Sequence, residues 1–127
     1  MMPRRHKITA MKFTDRTVSF RLDGEPVWDR VEISPRVAMV GHFNLNRPVV
    51  RVDAKITNQK EQQAIALHEA IERHERRGGL APHQAHVVAE ATEARWDARH
   101  GVPMRSYSRH VEQVFRENAR EGVRRRR

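Results

Sequence analysis

The chain predicts an α+β fold, an N-terminal antiparallel β-sheet followed by three α-helices, and three observations carry that expectation. Apolar residues in the first half alternate with polar ones at period two, as half-buried strands require. From residue 57 onward they recur every three or four positions, which marks one face of a helix. The strand-like runs all precede the helix-like ones, so no strand–helix–strand repeat is present. At 127 residues the chain supports one core rather than two.

Residues 8–13 are the first expected strand, joined through Asp15-Arg16 to a second. In that second strand Val18, Phe20 and Leu22 face one way and Thr17, Ser19 and Arg21 the other. Asp23-Gly24 is a hairpin turn signal, and Val27, Val31 and Ile33 mark a third strand, so residues 7–33 read as an antiparallel meander. Pro35 ends it. The segment RVAMV at 36–40 predicts a short strand, GHFNLNRP at 41–48 a loop, and residues 49–54 a last strand.

Thr57 or Asn58 can cap the first helix, which has Glu61 in its first turn, Ala64, Leu67 and Ile71 on its apolar face, and Gly78-Gly79 as its stop. Pro82 opens a second helix that runs to about His100 and closes at Gly101. Ser106 or Ser108 opens the third, whose apolar face is Val111, Val114 and Phe115 and which fades after Asn118. Residues 1–123 then form a single domain, and the run at 124–127 a basic, disordered tail.

The absence of cysteine excludes disulfides, thiol nucleophiles and cysteine-ligated zinc. No apolar run is long enough for a membrane span or a signal peptide, so a cytoplasmic protein with no membrane partner is the expectation. With 38% apolar and 32% charged residues the core is thin, and a homodimer sharing it would fit. Lys and Arg total 25 against 16 acidic residues, a net charge of +9 that favours acidic partners.

The stretch ALHEAIERHE, residues 66–75, places His68, Glu69 and Glu72 on the first helix as H-E-x-x-E. At about 100° per residue, His68 and Glu72 share an edge of the Ala64, Leu67, Ile71 stripe, with Ile65 beyond them. The i,i+4 spacing presents an imidazole and a carboxylate to one point, the reason metal ligands recur four apart on helices. Glu69, one position around, is placed to act as a general base. On so charged a helix the same residues also read as side chains facing water, as His74 and Glu75 do.

On the second helix His86, Glu90, Glu93 and Asp97 fall close to one line, with Ala85, Ala89 and Trp96 on one side and Val87, Ala91 and Ala94 on the other. A polar ribbon between two apolar ones must be partnered where it is buried. If it faces the first helix, His86 supplies a further nitrogen, and Glu90 or Glu93 completes the ligand set or orients an imidazole. Two imidazoles with one or two carboxylates suit Zn²⁺, and equally Mn²⁺, Fe²⁺ or Ni²⁺ at higher coordination. The competing reading is a His–Glu and Arg–Glu network that fixes helix packing, with Arg73, Arg95 and Arg99 as partners.

The segment VRVDAKITNQKEQQAIALHEAIERH resembles compact zincin-like metallopeptidase domains, in which a strand leads through a short polar loop into the helix bearing H-E-x-x-H. The resemblance spans about residues 49–75. It implies that His68 is the first metal ligand and Glu69 the base for a metal-activated water attacking a peptide carbonyl. It also implies a third ligand on the following helix, where His86, Glu90 and Glu93 stand. Glu72 departs from the family pattern, which has a second histidine there; a carboxylate also binds zinc, with a donor that suits other divalent metals. The function expected on this basis is a metal-dependent hydrolase, a small zincin-like peptidase with a peptide substrate.

Two non-enzymatic functions compete with it. A basic nucleic-acid-binding module would use dispersed charges such as Arg4, Lys12, Arg76 and Arg109, with Trp28, Phe43 or Tyr107 stacking on bases. No helix-turn-helix or KH signature accompanies them. A structural or partner-binding protein would use Trp96, Val111, Val114 and Phe115 as a contact surface. His42, Asn44 and Asn46 read first as loop and turn residues, and Tyr107 as either a neighbour of a helix cap or a hydrogen-bond donor in a site.

Overall fold

A computed structural model describes residues 7–14, 16–37 and 39–125. In chain order these form β1 (Ile8–Thr14), β2 (Thr17–Leu22), β3 (Glu25–Ser34), β4 (Gly41–Phe43) and β5 (Val49–Asp53), then α1 (Gln59–Arg77), α2 (Pro82–Arg99) and α3 (Met104–Arg125). The α+β order of strands followed by three helices is as the sequence predicts.

The meander β1-β2-β3 follows from the period-two pattern. Val18, Phe20, Leu22 and Val27 are buried under the helices, while Ser19, Arg21 and Trp28 face the opposite side. The Asp23-Gly24 turn has φ of 52° and 85°, the left-handed pair that a two-residue hairpin needs and that glycine supplies without steric cost. In β1 the register shifts between Thr9 and Lys12, and Ala10 takes a φ of 54°, so the outer edge of the sheet carries a bulge.

Beyond β3 the expectation fails in two ways. The sheet is mixed, with order β1-β2-β3-β5-β4: β5 runs parallel to β3, from Arg30 opposite Val49 to Ser34 opposite Asp53, and β4 adds antiparallel outside β5. The second failure is an exchange of neighbours, since 41–43, expected as loop, is β4, and the described residues of 36–40, expected as strand, turn. Val40 N donates to Val37 O at 3.1 Å, and Met39 and Val40 have φ of 57° and 69°. Val37 and Val40 are apolar because this turn is packed into the core, not because it pairs. The turn is pinned by Asp53, fully buried, whose Oδ2 accepts from Val37 N at 3.0 Å.

Asn58 is the cap of α1: its Oδ1 accepts from Glu61 N at 3.1 Å. Ala64, Leu67 and Ile71 are wholly buried as predicted, and α1 lies against β2, β3, β4 and β5 while pairing with α2 along its flank. Burial of side chains such as Leu67 and Ile71 stabilises the fold by about 1.5–3 kcal/mol each. α3 starts two residues before Ser106 and continues past Asn118 to Arg125, into the stretch expected as tail; residues 126 and 127 lie outside the described residues. Tyr107 and Val114 dock it on the core, and Asn118 Nδ2 donates to Asp53 Oδ2 at 2.8 Å and Val37 O at 3.2 Å. Among the described residues no helix is long and apolar enough to cross a membrane.

Candidate metal centre

α1 and α2 form a helical hairpin joined at residues 78–81, and the predicted polar edges face each other across it. His68 and Glu72 come from α1, one turn apart, and His86 from the second turn of α2. The rings of His68 and His86 have centroids 5.0 Å apart at 64°, and His86 Nδ1 lies 3.0 Å from Glu72 Oε1. One donor atom from each of His68, Glu72 and His86 falls within 4.8 Å of the other two. Ligands on a tetrahedral zinc sit roughly 3.3 Å apart, so small rotamer changes bring the three onto one ion.

The charge state of the group suits a cation. Burial, and then the neighbouring His86, pushes the His68 imidazole down to about 4, so at neutral pH it keeps a lone pair for a metal. The donor set, two imidazoles and a carboxylate, is one that divalent transition metals accept. The residues present therefore fit a metal.

The other predicted residues surround this group. Glu90 is exposed, with Oε2 3.9 Å from His86 Nε2. Glu93 is buried beside His68, its Oε1 3.7 Å from His68 Nδ1 and accepting from the Tyr107 hydroxyl at 3.1 Å. Burial, reinforced by Asp97, raises the Glu93 carboxyl to about 9. Asp97, one turn on, is fully buried beside Glu93, with which it shares a proton-mediated contact, and burial pushes its pKa up as well. The ribbon on α2 thus passes from solvent at His86 to the core at Asp97.

Glu69 is buried where α1 meets the edge strand. A Cβ built on Gly41 would lie 2.8 Å from Glu69 Oε1 and 2.7 Å from Ile65 Cγ2, so only glycine permits this approach. Burial, and then Glu72, raises the Glu69 carboxyl to about 8. A cleft of about 720 Å³ opens over Glu69 and the His68, Glu72, His86 group. Its walls are β4 with the turn before it, the exposed edges of α1 and α2, and the Met104 to Phe115 stretch of α3.

Arg73 does not serve the site. Its Nη1 lies 3.1 Å from Asp29 Oδ1, and its Nε donates to Asn44 O and Arg47 O, each at 2.8 Å. Together with Arg77, whose Nη1 donates to Leu45 O at 3.0 Å, it ties the return loop of β4 to α1. The signal was readable: Asp29 has the inward parity of Val27 and Val31, and a buried carboxylate needs a cationic partner. Asn44 forms the turn expected of it, its Oδ1 accepting from Asn46 N and Arg47 N. His42, expected in a loop, is on β4 and stacks on Phe43 with centroids 6.2 Å apart. Tyr107 is a site residue through Glu93, a pairing that no spacing within one helix reveals.

Comparison of the chain with the models of known protein families, with curated proteins and with solved structures gave no match.

Proposed function

We propose that this protein is a metal-dependent hydrolase, a small zincin-like peptidase in which His68, Glu72 and His86 hold a divalent ion, zinc first, and Glu69 is the general base. The observation that carries the reading is the convergence of three donors from two helices beneath an open cleft. A bound zinc ion supplies Lewis acidity for polarising a carbonyl and activating water.

The chain's own residues supply the rest. Glu69 stands in a desolvated position that favours its protonated form, so its carboxylate readily accepts a proton and holds it for a leaving amine. Glu90 and Glu93 act as additional ligands or orient the imidazoles of His86 and His68, which they approach to 3.9 and 3.7 Å. Tyr107 fixes Glu93 through its hydroxyl. β4, at the margin of the sheet, lets an extended peptide pair through its backbone along the cleft.

Elemental analysis of untagged protein after zinc loading and desalting tests the ion. About one zinc per chain is expected, and much less after His68→Ala or Glu72→Ala; unchanged occupancy in both variants removes the reading. Glu69→Gln separates the base from the site, because it should retain the metal and lose hydrolysis of an unstructured protein substrate. The short His86–Glu72 contact supports one rival, a polar network that only fastens α1 to α2. That rival predicts no bound metal and no effect of Glu69→Gln on any activity.

A further inference from the structure

The helices cover one side of the sheet, and among the described residues no element covers the other. On that side the strand registers set Lys12, Ser19 and Trp28 in one row across β1, β2 and β3. The next row is Thr14, Thr17, Arg30 and Val49, and the one beyond it Glu32, Arg51 and His42. Arg21 lies on the same face beside Pro26.

Two properties of this surface stand out together. Trp28 is 54% exposed; its neighbour on β2 is the small Ser19, and β5 begins pairing with β3 only at Arg30. Lys12, Arg21, Arg30 and Arg51 are all exposed around it, and the acidic Glu32 stands in the row of Arg51. Glu32 contacts Arg51 at 3.3 Å, an exposed pair that solvent screens. Arg30 is two residues along the strand from Trp28, about 6.7 Å away, and Lys12 is two strands over, about 10 Å away.

We propose that this open sheet face is a binding site for single-stranded nucleic acid, with Trp28 as a stacking platform and Lys12, Arg21, Arg30 and Arg51 as phosphate contacts. A planar ring standing in a basic field is complementary to a base flanked by phosphates, and stacking of this kind tolerates any base. A lipid surface would call for several apolar side chains, and this face offers little beyond Trp28. A second copy of the chain would bring like charges together. The inference stands apart from the metal centre, since none of these four cations belongs to it.

The two tryptophans make the test direct, because Trp96 is buried against Phe13 and His100 whereas Trp28 is open. Full-length protein is titrated at low salt with oligo(dT) and with oligo(U) while tryptophan emission is followed. Quenching on binding is expected in the parent, and anisotropy of labelled oligonucleotide should show binding weakened in Trp28→Leu and retained in Trp28→Phe, whose ring still stacks. Arg30→Ala with Lys12→Ala should weaken binding about tenfold and lower the slope of log K against log salt by about 1.4. Circular dichroism of each variant should match the parent. Binding unchanged in all of these variants would place it away from this face and overturn the proposal. Equal quenching by anionic vesicles or polyglutamate, with no preference for the oligonucleotide, would overturn it as well.

Discussion

At Gly41 the chain passes so close to α1 that a single methyl group would lie 2.7 Å from Ile65 Cγ2 and 2.8 Å from Glu69 Oε1. Gly41→Ala therefore overpacks the junction between edge strand and helix, and a loss of about 1–3 kcal/mol is expected in urea unfolding. Because the displaced group includes the proposed base, hydrolysis should fall further than stability alone explains. Asp29 and Arg73 give a second test at this scale. Removing the guanidinium in Arg73→Met leaves a buried carboxylate without its cation, at a cost of about 3–5 kcal/mol at pH 7. The pH dependence has a definite sign. Burial outweighs the pull of Arg73 and Arg77 and raises Asp29 from 3.8 to about 6, so between those values the folded chain holds a proton that the unfolded chain has released. This group's contribution to stability thus falls as pH rises through that window, and the Arg73→Met deficit should shrink at pH 4.5, where the carboxyl is neutral. Unfolding curves at the two pH values check both statements.

Among the elements, the first three strands and α1 were legible because each has a clear period and a local stop signal, and α2 because Pro82 opens it and Gly101 closes it. Asn58, Gly24 and Pro82 act through their immediate neighbours, and such signals survive without knowledge of the fold. The ladder between β3 and β5 was not legible, because parallel pairing joins segments separated by a turn and a short strand and leaves no local trace. β4 was missed because three residues cannot display an alternation, and 36–40 misled because burial of Val37 and Val40 in a turn looks the same as burial in a strand. Within the site, helical spacing placed His68 and Glu72 on one edge and His86 on a polar ribbon, but that the two edges face each other lay beyond either helix's own pattern. Likewise the inward parity of Asp29 announced a buried carboxylate without naming Arg73 as its partner. α3 is held largely by polar bolts, with Asn118 bonded to Asp53, Val37 and Lys55. Asn118→Leu should cost about 1–3 kcal/mol, because it removes one of the two donors to the buried Asp53 Oδ2 and the donor to Val37 O. Hydrogen exchange should then speed up across residues 104–121 while α1 amides stay protected, a pattern that mass spectrometry of peptic fragments resolves.

For the whole molecule, the apolar interior is complete without an ion: Val18, Val50, Leu67 and Ile71 are fully enclosed by one another and their neighbours. The proposed metal site sits at the margin of that interior, so a chelator should leave far-ultraviolet circular dichroism intact. Zinc at a hundred times its Kd should add about 2.7 kcal/mol of stability by mass action and raise the Tm by several degrees. His68→Ala should abolish that rise, and thermal scans with and without zinc measure it.

The bulge at Ala10 makes the two margins of the sheet unequal. β1 presents a broken rung to any chain that approaches it, with Lys12 standing just beyond, and such irregularity turns away neighbouring molecules that would otherwise extend the sheet from one copy to the next. At the far margin β4 is regular but three residues long, too short a template to seed a polymer. Each margin of the sheet, one broken and the other brief, therefore gives a neighbouring copy little to build upon.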